Sequence, residues 1–125
     1  MKTEELMIDD WVTFSRNNKY YKVSSLTSDI ELEGYGFIFN CLCDDVEPIP
    51  LTAVILEEIG FWYEQNVGYV MEEDEYEIIY DLWDHKLRIL KNREQILSLE
   101  YFNEMCVHEL QHALRLCNIE KEIEL

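Results

Sequence analysis

The sequence predicts an α+β protein that is built from short antiparallel strands and two helices. Aromatic and β-branched runs alternate with turn residues through most of the chain, which is typical of short strands. Apolar residues at helical spacing occur in residues 52–60 and 98–117. The length of 125 residues and the apolar content of 48% are those of one folded domain. We expect a single compact unit over residues 1–125.

The first fifty residues predict a small, bent sheet. Residues 11–14 and 20–24 are aromatic and β-branched runs on either side of an asparagine-containing turn. Residues 30–32 and 37–39 add two more short strands, which are joined through glycines. We therefore expect an N-terminal SH3-like sheet or barrel in residues 1–47.

A linker and a short helix follow this sheet. Residues 44–50 predict the linker, because proline cannot donate to a sheet ladder and biases its predecessor to extended geometry. Thr52 is the predicted N-cap of the helix, and Gly60 ends it after about two turns. The remaining sub-region, residues 51–125, is expected to hold this helix, an antiparallel β-meander and a long C-terminal helix that packs on the sheet.

The meander is predicted from alternation and turn residues. Residues 61–63 and 67–71 flank a turn and predict a hairpin, and the acidic residues 72–74 turn the chain again. The next strand has one buried and one wetter face. Its apolar positions are Tyr76, Ile78, Tyr80 and Leu82.

A two-residue turn at residues 84–85 would fix the register of that strand with the following one. It places Tyr80 opposite Ile89 on the apolar face and Asp81 opposite Arg88 on the other face. Apolar pairs on one side and an ion pair on the other make this register self-consistent.

The long C-terminal helix is predicted over residues 98–117. Ser98 is the expected N-cap, and Glu100 lies in the first turn, where a negative charge is favourable. The apolar stripe of the helix comprises Leu99, Phe102, Cys106, Leu110, Ala113 and Cys117.

This helix carries the motif His108-Glu-Leu-Gln-His112. On a helix, His108 and His112 lie one turn apart on the same face, at a spacing that suits two zinc ligands. Glu109 lies where a carboxylate can deprotonate a metal-bound water. One hypothesis is therefore a minimal zinc-dependent hydrolase of the peptidase type, with His108 and His112 as metal ligands and Glu109 as catalytic base.

Several features of the sequence oppose zinc chemistry. A catalytic zinc needs a third protein ligand, and thirteen residues follow His112, without the glycine and third histidine of the metzincin pattern. Cys41 and Cys43 share a strand face and offer a different zinc set with the histidines, but buried thiols acting as small apolar side chains fit them better. We expect no cofactor, His85 as a turn residue, and Glu109 hydrogen-bonded to a tyrosine or to backbone.

The chain is strongly acidic, with a formal net charge of −17. No Lys or Arg occurs between residues 23 and 85, where sixteen Asp and Glu fall. The negative electrostatic field of these residues repels phosphate backbones, so we expect no direct nucleic-acid binding. Two interpretations remain: a solvated surface that keeps the protein soluble, or a docking face for a basic protein partner.

The sequence also indicates where the protein works. No apolar run approaches the ~20 residues of a membrane span, and the N-terminal residues lack the basic and apolar regions of a signal peptide. The four cysteines form no dense disulfide framework. We expect a cytoplasmic protein without membrane contact, and its oligomeric state stays open.

Three segments resemble a known family in their order along the chain. They are Ile8-Asp-Asp-Trp-Val12, Val46-Glu-Pro-Ile-Pro-Leu-Thr52 and Val107-His-Glu-Leu-Gln111. Together they resemble a family of small proteins, without an assigned activity, from Bacteroides-type gut bacteria and their phages or mobile elements. The resemblance implies that this helix usually carries Asn at position 112 and often Gln at position 109, which favours a structural role for the motif.

The sequence thus supports three functional hypotheses. The first is a non-enzymatic interaction or accessory protein of phage or mobile-element origin, whose acidic face meets a protein partner. The second is the minimal zinc-dependent hydrolase. The third is a structural or host-modulating protein.

Overall fold

The computed structural model describes residues 1–125 and has an α+β fold. Two antiparallel five-stranded sheets and two α-helices make up the chain, which confirms the predicted fold class at this level. The chain divides into two compact units. Unit 1 comprises Met1–Ile49 and Cys106–His112, and unit 2 comprises Pro50–Met105 and Ala113–Leu125. Neither helix has the length and apolar character that a membrane span requires.

The sheet of unit 1 is a four-stranded meander to which a short fifth strand is added. The strand order is β4-β3-β2-β1-β5, and every pairing is antiparallel. A 3-10 turn at Cys43–Asp45 comes between β4 and β5. The strands are β1 (Trp11–Phe14), β2 (Lys19–Leu26), β3 (Ile30–Gly34), β4 (Phe37–Cys41) and β5 (Val46–Glu47).

Turn chemistry explains two of the three hairpins of this sheet. Asn18 ends the first turn with a φ of 57°, a conformation that asparagine tolerates better than most residues. Tyr35 and Gly36 both have positive φ, at 54° and 81°, as the favoured two-residue hairpin turn requires. The predicted hairpin of residues 11–24 is therefore confirmed, as are the two further strands joined through glycines.

The apolar face of this sheet forms the core of unit 1. Alternate residues of β1, β2 and β3 point to the same side, and four of them have no exposed surface. Phe14, Tyr21 and Phe39 pack edge to face beside them, with ring centroids 5.0–6.1 Å apart. The four fully buried residues are Val12, Val23, Ile30 and Leu32.

Unit 2 begins with the predicted short helix α1 (Ala53–Ile59). The Thr52 hydroxyl accepts a hydrogen bond from the Ile55 N–H at 3.3 Å, which confirms Thr52 as the N-cap. Gly60 ends the helix with a φ of 122°, as predicted from its position. The apolar stripe Ile55, Leu56 and Ile59 is buried.

A five-stranded antiparallel meander follows α1, with the strand order β10-β9-β8-β7-β6. Gly68 opens β7 with a φ of 121°, and a Cβ there would lie 2.8 Å from the Tyr80 carbonyl oxygen. Only glycine fits this close approach of two strands. The strands are β6 (Trp62–Glu64), β7 (Gly68–Glu73), β8 (Tyr76–Asp81), β9 (Lys86–Lys91) and β10 (Glu94–Glu100).

The predicted register between β8 and β9 is wrong by two residues. Tyr80 pairs with Leu87 instead of Ile89. The reason is the turn, which spans residues 82–85 rather than two residues. Because side chains alternate with a period of two, this slip leaves Tyr76, Ile78 and Tyr80 on their predicted face, whereas Leu82 lies in the turn.

The polar pair on the other face changes in the same way. Asp81 lies opposite Lys86, not opposite Arg88 as predicted. The Asp81 carboxylate instead accepts hydrogen bonds from two backbone N–H groups of the turn, those of Trp83 and Asp84. It therefore stabilises a turn that is two residues longer than predicted.

The predicted start of the C-terminal helix is also wrong. Ser98 lies in β10, and α2 (Val107–Leu116) is a helix of 10 residues. The chain reverses at Asn92 and Arg93, which both have positive φ and join β9 to β10. Phe102, predicted on the apolar stripe, is fully exposed.

Candidate functional site

The residues of the His-Glu-x-x-His motif lie in the first turns of α2. Val107 is the first helical residue, so His108, Glu109 and His112 all fall inside the helix. The imidazoles of His108 and His112 lie one turn apart, with ring centroids 5.6 Å apart and planes at 80°. The helix thus brings the two rings together, as the spacing predicts.

Glu109 forms a cap on its own helix. Its Oε1 accepts a hydrogen bond from the backbone N–H of Cys106 at 2.9 Å. The Cys106 carbonyl in turn accepts from the N–H groups of Glu109 and Leu110, which makes Cys106 the N-cap. A glutamate at the third helical position that bonds back to the N-cap is half of a capping box. Of the two predicted partners, a tyrosine or backbone at a helix–sheet contact, the structure shows backbone, but it is that of the helix's own N-cap.

His112 is bonded to a carboxylate near the start of the chain. Its Nε2 lies 2.6 Å from Oδ2 of Asp10, whose side chain has no exposed surface. The same oxygen accepts a hydrogen bond from the backbone N–H of Met7 at 2.8 Å. Since a carboxylate only accepts, Nε2 of His112 must carry the proton in this pair. The pair satisfies a charge that is costly to bury alone.

Gln111 binds the backbone on both sides of that carboxylate. Its side-chain oxygen accepts from the Trp11 N–H at 2.9 Å, and its side-chain nitrogen donates to the Asp9 carbonyl at 2.8 Å. Two consecutive helix residues, Gln111 and His112, therefore bind three consecutive residues that lead into β1. This arrangement positions the start of the strand.

His108 has a different environment from His112. It is 7% exposed, and its buried Nδ1 has no hydrogen-bond partner. Burial lowers the pKa of His108 below its ordinary value of 6.5, although the negative charges of Glu109 and Asp10 oppose this shift. His108 is therefore neutral at pH 7.

These residues do not fit a zinc site. No group of three or more His, Cys, Asp or Glu side chains is arranged to hold a metal ion. Glu109 is engaged in the cap, and Nε2 of His112 is directed at Asp10. The cap bond engages the carboxylate that a zinc hydrolase would use as its base, and the bond to Asp10 leaves only Nδ1 of His112 as a ligand nitrogen.

The cysteines and the third histidine do not complete a ligand set. Burial, with a contribution from the Asp45 charge, raises the pKa of the Cys41 thiol to about 11. Cys41 ends β4 whereas Cys43 begins the 3-10 turn, so the two thiols do not share a strand face as predicted. Cys43 carries a free thiol as well. His85 lies in the turn between β8 and β9 with a φ of 53°, which confirms it as a turn residue.

Two residues of this site, Asp10 and Gln111, were not predicted from the sequence. Asp10 comes directly before β1, and a carboxylate that adjoins a buried apolar strand is a signal of a paired acid. Its partner is 102 residues away, which no local pattern indicates. Gln111 stands among buried helix positions, where a side-chain amide needs partners, and that is a second usable signal.

Comparisons with known proteins assign no family to this chain. Searches against protein-family models, curated proteins and solved structures gave no match to this chain.

Proposed function

We propose that the chain is a non-enzymatic interaction protein whose acidic surface binds a basic protein partner. The observation that carries this proposal is the structural use of the motif side chains. Glu109 caps α2, and His112 is bonded to the buried Asp10, so both act in holding the fold. A hydrolase would need the same groups to face a substrate.

The charge distribution supports a protein partner. None of the sixteen acidic residues between residues 23 and 85 is buried, and eleven of them are exposed. No Lys or Arg occurs in that stretch, and cations from outside it form ion pairs with three of these residues, Asp45, Glu73 and Glu75. A field of this sign raises the association rate with a cationic surface and repels a nucleic-acid backbone. The partner is therefore a basic protein, and nucleic acid is not bound directly.

The proposal extends to the fold and origin of the protein. The sheet of unit 1 is SH3-like, which is supported by its meander order, by the 3-10 turn at Cys43–Asp45 and by the return of β5 to β1. The chain works in the cytoplasm as an accessory protein of phage or mobile-element origin. The segments Val46–Thr52 and Val107–Gln111, with their resemblance to the Bacteroides and phage family, support that origin.

The docking proposal is tested by capturing partners on the immobilised full chain at low and high salt. Binding through the acidic surface weakens steeply as salt screens the charges. Neutralising the exposed pair Glu57→Gln/Glu58→Gln should reduce capture more than Glu4→Gln/Glu5→Gln, an exposed pair outside the acidic stretch that removes the same charge. Capture that is insensitive to salt would mean that the acidic surface serves solubility alone.

A minimal zinc hydrolase is the second candidate, and one observation favours it. The buried Nδ1 of His108 has no partner, as an unused ligand nitrogen would. Metal analysis of the untagged protein separates the candidates. Stoichiometric zinc that is lost on His112→Asn, in a variant whose dispersed amide spectra show that it is folded, would support the hydrolase, and the absence of bound zinc from the wild-type protein would end it.

A further inference from the structure

Unit 2 contains a cavity of about 450 Å³ between the β6–β7 turn and the β8–β9 turn. Pockets that hold small ligands or single side chains have volumes of this order. Its lining includes the side chains of Tyr63, Tyr69, Asp81 and Trp83. The cavity therefore combines three aromatic rings with one carboxylate.

The aromatic rings form the walls of the cavity. Tyr63 and Tyr69 are cross-strand neighbours on β6 and β7, and their rings meet edge to face at 5.4 Å. Tyr63 is 60% exposed, and Trp83 is 87% exposed. The fold gains little from aromatic groups that are so exposed to solvent, and exposed apolar groups around a concavity indicate a binding site.

The turn does not require the Trp83 side chain. Asp81 holds this turn by accepting from the backbone N–H groups of Trp83 and Asp84, at 2.9 and 3.1 Å. Both bonds go to Oδ1, so Oδ2 retains its lone pairs for a ligand. Lys86 lies opposite Asp81 across the strands, but it forms no ion pair with it and does not line the cavity.

We infer that this cavity binds a cationic side chain, the guanidinium or ammonium group of an arginine or lysine, presented by a basic partner. This inference rests on the proposed function and names the part of the acidic surface that receives the charge. A cation over the face of Trp or Tyr is attracted by the ring quadrupole. The Asp81 carboxylate then accepts a charge-assisted hydrogen bond from the same group.

The net charge of the protein favours a cation over a neutral or anionic ligand. The chain carries −17, and the acidic residues Glu64 and Asp84 flank the cavity in sequence and are exposed. An anion would have to overcome this field, whereas a cation is drawn towards it. The aromatic walls add the specificity that a field of charges lacks.

The test uses the full chain and tripeptides with a central arginine, lysine or citrulline, followed by nuclear magnetic resonance. Trp83 should show a saturable shift of its indole N–H signal with the arginine and lysine peptides and none with the neutral citrulline peptide. Trp62 and Trp11 are internal controls, because neither lines the cavity. Equal shifts with citrulline and arginine would overturn the inference.

Two variants locate the binding. Trp83→Ala should lower the affinity for the arginine peptide by about two- to five-fold, which is the contribution of an exposed cation–π interaction. Asp81→Asn removes the charge but keeps an oxygen for the two turn hydrogen bonds, so it should weaken binding without unfolding the turn. Dispersed amide spectra establish that each variant is folded. Unchanged affinity in both folded variants would contradict the inference.

The same variants separate this inference from the docking proposal. If salt-sensitive partner capture persists in Trp83→Ala while the peptides fail to bind the wild-type protein, the cavity is not the site and the docking proposal stands. If the peptides bind at Trp83 but no salt-sensitive partner is captured, the cavity is a cation site and the docking proposal fails.

Discussion

Nε2 of His112 lies 2.6 Å from Oδ2 of Asp10, across 102 residues of sequence. The carboxylate is fully buried, whereas the imidazole is partly exposed. The pair thus joins the beginning of β1 to α2 with a polar contact inside unit 1. Its role can be measured because glutamine places a donor at the same reach as Nε2.

His112→Leu should destabilise the protein by about 1–3 kcal/mol, because the buried carboxylate loses a hydrogen-bond donor. His112→Gln should lower the free energy of unfolding clearly less, because the glutamine side-chain amide restores that donor. Urea unfolding of both variants measures the difference. Equal losses of stability in the two variants would show that the imidazole contributes by packing rather than by its bond to Asp10.

Glu109→Ala should destabilise the protein by about 0.5–1.5 kcal/mol through loss of the hydrogen bond from the Cys106 N–H. Glu109→Gln retains an oxygen acceptor and should be nearly neutral in the same unfolding experiment. This pattern identifies a cap, since only the acceptor matters. A large loss of stability in Glu109→Gln would indicate that the charge itself is needed.

Protonation of His108 should make the folded protein less stable relative to the unfolded chain as the pH falls through 6.5. The pKa of His108 is lowered by burial in the folded state, so below 6.5 the unfolded chain binds a proton that the folded protein does not. The contribution is fully present above that pH.

His108→Leu removes this titration. The wild-type curve of unfolding free energy against pH should therefore decline more steeply than the curve of the variant as the pH drops from about 7.5 to about 5.5. Comparing the two curves removes the contribution of the carboxylates that both proteins contain. Among them, Glu109, Asp10 and Glu5 act electrostatically on the His108 ring. Parallel curves would show that the buried imidazole does not titrate differently on folding.

Cys41 should react slowly with iodoacetamide at pH 8, because its thiol is buried and its pKa is raised to about 11. Labelling followed by peptide mapping should show alkylation at least about tenfold slower than in urea. Cys43, two residues away and partly exposed, is the matched control. Rapid labelling of Cys41 in the native protein would place this thiol in a more open environment.

Gly68→Ala should destabilise the protein more than Gly36→Ala by at least about 1 kcal/mol. Both glycines have positive φ, but a Cβ at Gly36 would meet nothing within 4 Å, whereas at Gly68 it would meet the Tyr80 carbonyl oxygen at 2.8 Å. The difference between the two variants in thermal or urea unfolding isolates this close contact. Similar losses would mean that backbone strain alone determines both.

The sequence predicts the parts of the fold that depend on local chemistry. Hairpins and α1 follow from turn residues and caps, such as Thr52 and Gly60, whose effects extend over three or four residues. The β8–β9 register failed because the length of the turn was inferred rather than given by a local signal. The buried face of the strand was still predicted correctly, since alternation is insensitive to a slip of two residues.

The errors in the C-terminal region have a physical cause as well. In residues 94–100, Leu97 and Leu99 have the spacing of a strand whereas Ile96 and Leu99 have that of a helix, and β pairing with β9 decided between the two. The motif was recognisable, but its role depends on Asp10, a partner that only the folded chain supplies. Long-range pairing of this kind is invisible to periodicity.

The hydrogen bonds of Gln111 with the backbone of Asp9 and Trp11 affect the order in which the chain can fold during synthesis. Residues 1–49 are synthesised first, but the helical segment that completes their unit is translated more than fifty residues later. Until it emerges, the backbone groups of Asp9 and Trp11 and the Asp10 carboxylate lack these partners. The nascent N-terminal strands are therefore expected to stay protease-sensitive until residue 112 has left the exit tunnel.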